Sequence, residues 1–345
     1  MTLEGRVPSV TLCGQNAEDS SEVLCSAALR TPSPATTAAG VIGLIIDAHQ
    51  HTWEVSRTGY SWIEPESPLN RDFGSDAAAE ARQGTNVSGV VLVQAADTYA
   101  DTEFMVATAR VAPEVLGVVG WAPLDKPDEV REVLSAYSTS EVIKGVRCLS
   151  HDYPDAAWIL KPEVVESLRI AGELDLTFDY VARSVDQLRL LARAAAAVPN
   201  LVVVLDHLGS PPVRTGPFEP WAQAINELAQ LPNVNVKLSG LTTLSGGMSF
   251  ADRWAPWIDH ALDRFGSARI MAGSDWPVST DGAPFVDLWA AQAASVQRLP
   301  EAEVADVLGG VATRIYSLAT RDGRSGRERN TTRAITVQHP SRLTH

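Results

Sequence analysis

Basic residues and cysteine are both scarce in this chain. Lysine and arginine total 28 against 42 aspartates and glutamates, a formal net charge of −14 over 345 residues. So acidic a protein repels phosphate backbones and anionic lipid, which argues against nucleic-acid or membrane-surface partners. Small anionic substrates stay open, because one or two local arginines reverse the potential inside a pocket. The 3 cysteines, Cys13, Cys25 and Cys148, are too few for a disulfide framework. None forms a C-x-x-C pair, so zinc-ribbon and thioredoxin-like readings lack support. No run approaches the roughly 18 apolar residues that a membrane span needs. The start is not basic, and Glu18, Asp19 and Glu22 interrupt any signal-like apolar segment. A reduced cytoplasmic location is the default expectation, and nothing fixes the oligomeric state.

What is present is a globular composition, 45% apolar and 20% charged. Residues 1–40 are Ser/Thr/Ala-rich without an apolar period, and residues 321–345 carry six arginines and few apolar side chains. Both are expected to be disordered or loosely attached tails. Residues 41–320 carry 20 basic and 36 acidic side chains, so the central unit is more acidic than the whole. Short apolar β-branched runs alternate there with helical patterns. They are Val41–Ile46, Gly89–Val93, Leu116–Gly120, Ile143–Val146, Leu176–Asp179, Leu201–Leu205, Val234–Leu238 and Arg269–Ala272. Eight runs separated by room for a loop and a helix predict an α/β fold, a (β/α)8 TIM barrel over 41–320. No G-x-G-x-x-G follows the first run, which removes the main support for a dinucleotide-binding open sheet.

In such barrels chemistry sits at the C-terminal ends of the strands. The first strand ends in Ile45-Ile46-Asp47-Ala48-His49-Gln50-His51. Residues two apart in an extended segment face the same side, so His49 and His51 point together toward the barrel mouth. Two imidazoles there suit a divalent transition metal. The sixth run ends in Asp206-His207 and the eighth in Gly273-Ser274-Asp275. Asp275 is placed to ligate the metal or to take a proton from water. Asp47 and Asp206 are expected to support these groups from behind.

The string Ile46-Asp47-Ala48-His49-Gln50-His51-Thr52-Trp53 resembles the opening of the amidohydrolase-2, or amidohydrolase-related, family. Val93-Gln94-Ala95-Ala96, Val119-Gly120-Trp121, Lys144-Gly145-Val146-Arg147, Asp206-His207-Leu208-Gly209, Lys237-Leu238-Ser239-Gly240-Leu241 and Gly273-Ser274-Asp275-Trp276-Pro277 continue it. The likeness covers about residues 44–318 and points to the subgroup of sugar-lactone, muconolactone and pyrone-dicarboxylate hydrolases. It implies an amidohydrolase-like barrel, hydrolysis of a lactone C–O bond and often one divalent metal, zinc foremost. Some members of the subgroup are thought to work without metal. His49 and His51 match the family's metal pair, His207 its sixth-strand histidine, Asp275 its eighth-strand aspartate and Arg147 a substrate-facing arginine. Asp179 stands where many relatives carry a fifth-strand histidine, which argues against a two-metal site. Cys148 follows Arg147 where relatives often have histidine.

The expected reaction is water attack on a lactone carbonyl, with Asp275 as general base and His207 and Arg147 stabilising the oxyanion. Trp53, Tyr60, Trp62, Lys237 and His151 are candidate substrate contacts. The net acidity of the barrel favours a neutral sugar lactone over an anionic substrate. Two other readings compete: a metal-dependent decarboxylase of related architecture, against which Asp179 counts, and a catalytically silent barrel that only binds a small molecule.

Overall fold

The computed structural model describes residues 43–319 except 215 and 248–251, so the two expected tails lie outside the described residues. Eight strands run parallel in sequence order: β1 Ile46–Gln50, β2 Gly89–Val93, β3 Val115–Gly120, β4 Ile143–Cys148, β5 Thr177–Tyr180, β6 Val203–Leu205, β7 Val234–Leu238 and β8 Ile270–Ala272. Each pairs with the next. The first and last meet through a single parallel bridge, Gln50 to Trp276.

Helices fill every crossover: α1 Ser75–Ala81, α2 Tyr99–Val111, α3 Pro127–Ser138, α4 Pro162–Glu173, α5 Val185–Ala197, α6 Phe218–Ala229 and α7 Ala255–Phe265, with α8 Phe285–Val296 after the last strand. Their starts are chemically marked. Thr98 and Ser184 each accept a hydrogen bond from the backbone N–H three residues on, and Pro127 and Pro162 open α3 and α4. Apolar residues at helical spacing turn inward; on α6 these are Trp221, Ile225 and Leu228. Burying each such side chain contributes roughly 1.5–3 kcal/mol.

A separate apolar cluster includes Ile46, Val91, Val119, Val204 and Met271 from the strands, with Tyr316 packed among them. Tyr316 follows the helical turn Val311–Ile315 and sends its hydroxyl to Asp179 Oδ2 at 2.7 Å.

The expected first strand needs one correction. The ladder begins at Ile46, which pairs with Gly89, later than the start of the expected run, and it continues through Asp47 and His49 to Gln50. The position of β2 sets this register; Val41 and Ile42 lie outside the described residues. Among the described residues no helix is long and apolar enough to cross a membrane.

Candidate active site

Closure of the barrel builds the centre of the site. Where β8 returns to β1, Asp275 N–H donates to His49 O at 2.8 Å and His51 N–H donates to Trp276 O at 2.7 Å. The buried Asp47 carboxylate clamps the same seam. It accepts from Ser274 N–H at 2.7 Å, Ser274 Oγ at 2.6 Å and His49 N–H at 3.2 Å. Burial pushes Asp47 up to about 6, against the pull of those hydrogen bonds.

Three side-chain atoms converge at the seam. His49 Nε2 and His51 Nε2 are 3.2 Å apart, His51 Nε2 and Asp275 Oδ1 are 3.2 Å apart, and His49 Nε2 lies 3.6 Å from the same oxygen. His51 Nδ1 faces Val93 O at 2.7 Å and must donate to it. The Nε2 of a neutral His51 is therefore a bare lone pair, turned toward a carboxylate oxygen and a second imidazole nitrogen. Such a cluster calls for a positive centre between its members. Zinc bonds of ~2.0–2.1 Å in tetrahedral geometry set ligand atoms ~3.3–3.4 Å apart, so the observed spacing fits a single divalent ion. Burial holds His49 well below the usual imidazole range, which keeps it neutral and able to ligate.

Behind the three atoms lies a buried charge cluster. Asp206 Oδ2 accepts from Arg147 Nη1 at 3.0 Å, and Asp206 Oδ1 stands 3.2 Å from both His49 Nδ1 and Lys237 Nζ. Lys237 Nζ also reaches Asp179 Oδ2 at 2.5 Å and His49 Nδ1 at 3.1 Å. Burial alone raises the carboxyl of Asp206, yet Lys237, His49 and Arg147 together hold it well below its ordinary range. Asp179, beside Asp206, is raised by burial despite Lys237. Arg147 reaches forward as well, with Nη2 donating to Gln94 O and Nη1 3.5 Å from His49 Nε2.

His207 approaches from β6, its ring 4.7 Å from that of His49 and its Nδ1 2.9 Å from Ser239 Oγ. Its backbone is left-handed, φ 53°, as is that of Asp275, φ 60°. Two site residues in this sparsely populated region mark a backbone held by its surroundings. Gly240 makes room for both: it has φ +67°, and a Cβ there would lie 2.6 Å from His207 Nδ1 and 3.3 Å from Asp275 Oδ2.

These groups open into a cavity of about 830 Å³ lined by His51, Arg147, His207 and Asp275, with Trp62 and His151 on its wall. All the expected catalytic and metal residues are thus brought together. The expected substrate contacts divide. Trp62 lines the cavity with its indole N–H fixed on Ala95 O. His151 lines it too, with Nε2 3.2 Å from Asp152 Oδ2. Trp53 instead packs between Phe73 and Trp62 and donates to Arg71 O. Tyr60 donates to Asp101. Lys237 is absorbed by the charge cluster. None of these three lines the cavity; each is withdrawn by a buried partner. Arg183 and Arg214, on the loops after β5 and β6, line the mouth and went unnoticed in the sequence. Their position just beyond two strand ends was the available signal.

The amidohydrolase family profile matches residues 46–318. The chain belongs to the amidohydrolase family. An L-fucono-1,5-lactonase of Burkholderia ambifaria is 34% identical over 284 residues, covering 81% of this chain and 97% of that protein. A second L-fucono-1,5-lactonase, from Burkholderia multivorans, is 30% identical over 80% of this chain and 96% of its own length. A crystal structure of a Burkholderia multivorans amidohydrolase with bound zinc shares 30% identity at a TM-score of 0.73, over 80% of this chain and 100% of that one. This amidohydrolase therefore carries a His-His-Asp cluster suited to an ion on a barrel that holds zinc in a relative.

Proposed function

We propose that this amidohydrolase opens a sugar-derived lactone ring by water attack on the carbonyl, and that it holds one divalent ion, zinc foremost, on His49, His51 and Asp275. The observation that carries the reading is the convergence of those three atoms within 3.2–3.6 Å in a chain 34% identical to an L-fucono-1,5-lactonase. By likeness the substrate class is a polyhydroxylated 1,5-lactone.

When bound, the ion supplies a Lewis acid and lowers the pKa of a coordinated water. The protein's own residues do the rest. Asp275, the carboxylate open to the cavity at the seam, takes the proton of the attacking water and returns it to the ring oxygen as the C–O bond breaks. Arg147 and His207 face the same space and stabilise the negative charge that develops on the carbonyl oxygen. Asp206 orients both Arg147 and His49 from behind. Trp62 offers an apolar face to the sugar ring.

A lactone panel assayed for acid release, on metal-stripped protein and again with zinc or manganese, tests the reading. Turnover of sugar 1,5-lactones that rises on adding the ion supports it. Carbon dioxide release from aromatic acids would instead support a decarboxylase, and binding without any turnover would support a silent barrel.

A further inference from the structure

Asp101 carries a fully buried carboxylate that belongs neither to the charge cluster nor to the cavity wall. It lies in the first turn of α2, whose start is already capped: Thr98 Oγ1 accepts from Asp101 N–H at 3.2 Å. An acidic side chain at this position commonly turns back to the N–H of the capping residue. Here the Thr98 N–H donates to Ala96 O at 2.8 Å instead, and the Asp101 carboxylate reaches past it. Its Oδ1 accepts from Tyr60 Oη at 2.8 Å, and its Oδ2 accepts from Ala95 N–H at 2.8 Å and Ala96 N–H at 3.4 Å. Both connections lead to Trp62. Tyr60 sits just before it in the chain. The peptide that offers Ala96 N–H to Asp101 offers Ala95 O to the Trp62 indole N–H, at 2.7 Å. Trp62 and Ala95 line the cavity. Burial raises the Asp101 carboxyl, and the bonds from Ala95, Tyr60 and Ala96 pull the other way.

We infer that Asp101 is a positioning residue that sets the orientation of the Trp62 indole, and with it the affinity of the site for the sugar ring. A carboxylate suits the task because it only accepts, and every group it ties together donates. One oxygen holds the chain that carries the tryptophan, and the other holds the peptide that anchors its ring. The indole is thus set before substrate arrives. Without Asp101 the ring must be ordered at each binding event, which costs roughly 2- to 10-fold in affinity. The inference deepens the proposed function and rests on its reading of Trp62 as the face that meets the sugar.

Magnetic resonance and kinetics on the full-length chain test it together. With tryptophan labelled by the heavy nitrogen isotope, the 9 indoles each give one N–H resonance, and Trp62→Phe identifies that of Trp62. Asp101→Ala should move or broaden the Trp62 resonance and speed its exchange with solvent, before any substrate is added. A general loss of packing would disturb all the indoles alike. KM for a sugar 1,5-lactone should rise roughly 2- to 10-fold, with kcat within about twofold of wild type, the mark of lost uniform binding. In a Trp62→Ala background, Asp101→Ala should raise KM no further. Tyr60→Phe removes one of the hydrogen bonds, keeps the ring, and should shift the same resonance if Asp101→Ala does not fold. A Trp62 resonance unmoved in the folded variant overturns the inference. So do a fall in kcat at constant KM and KM effects that multiply in the double variant. A KM that Trp62→Ala leaves unchanged overturns instead the sugar contact in the proposed function, and the resonance then decides the positioning role.

Discussion

Asp275 N–H donates to His49 O across 2.8 Å, the hydrogen bond at which the last strand returns to the first. The bond that closes the barrel therefore also fixes the separation of two of the three atoms at the centre of the site. No loop intervenes between them to add slack. The same seam brings Asp47 onto Ser274, so the residue before Asp275 is held by its N–H and its hydroxyl together.

Asp275→Asn tests the base directly. The amide has the same shape, and the backbone N–H to His49 O survives, so the variant should fold with a thermal midpoint close to wild type. It cannot accept the proton of water, and general-base assistance amounts to about 100- to 10,000-fold. Steady-state kinetics on a sugar 1,5-lactone should show kcat falling by that order. Turnover near wild type would remove Asp275 from the role.

Asp47→Asn addresses the clamp rather than the chemistry. One amide oxygen cannot replace two carboxylate oxygens that accept from Ser274 N–H, Ser274 Oγ and His49 N–H. Leaving one buried group unpartnered costs about 1–3 kcal/mol, which urea unfolding would register. Kcat should fall as well, because displacing a reacting group by about 1 Å costs on the order of 100-fold. An unchanged kcat in a destabilised variant would show that Asp275 keeps its place without the clamp.

Gly240→Ala should be damaging out of proportion to one methyl group. The residue needs φ +67°, and its new Cβ would sit 2.6 Å from His207 Nδ1. Left-handed backbone costs an L-residue roughly 1–2 kcal/mol, and the imidazole must also move off Ser239. We expect a loss of about 1–3 kcal/mol in denaturant unfolding together with reduced kcat. The loss should be larger than for alanine at Gly74, where nothing lies within 4 Å of the added carbon and φ is −94°.

The barrel was legible because parallel strands covered on both faces read as continuous apolar runs. Seven of the eight runs overlap the observed strands over most of their length. The first was displaced because Val41 to Leu44 is as apolar as a strand, and only the pairing of Ile46 with Gly89 decides where the ladder begins. His49, His51, His207 and Asp275 were legible because strand ends converge by topology alone. The division of the aromatic and basic candidates was not. Whether Trp53 or Trp62 meets the cavity depends on Phe73 and Arg71 returning from a later segment. Lys237 is drawn inward by Asp179 on β5 and Asp206 just beyond β6, partners that no local pattern connects.

His151 gives the site a pH signature in stability. Burial, with Arg183 nearby, lowers its imidazole from 6.5 to about 4. Between those values the unfolded chain binds the proton and the folded protein does not, so stability rises with pH across this window. The contribution is fully present above pH 6.5 and is lost as the pH falls toward 4. His151→Gln removes the titrating group, and the drop in unfolding free energy between pH 7 and pH 4.5 should shrink by on the order of 1–3 kcal/mol. Urea titrations of both proteins at the two pH values measure it. Parallel pH dependence in the two would mean that His151 titrates as it does in water and that its ring is not enclosed in the cavity wall.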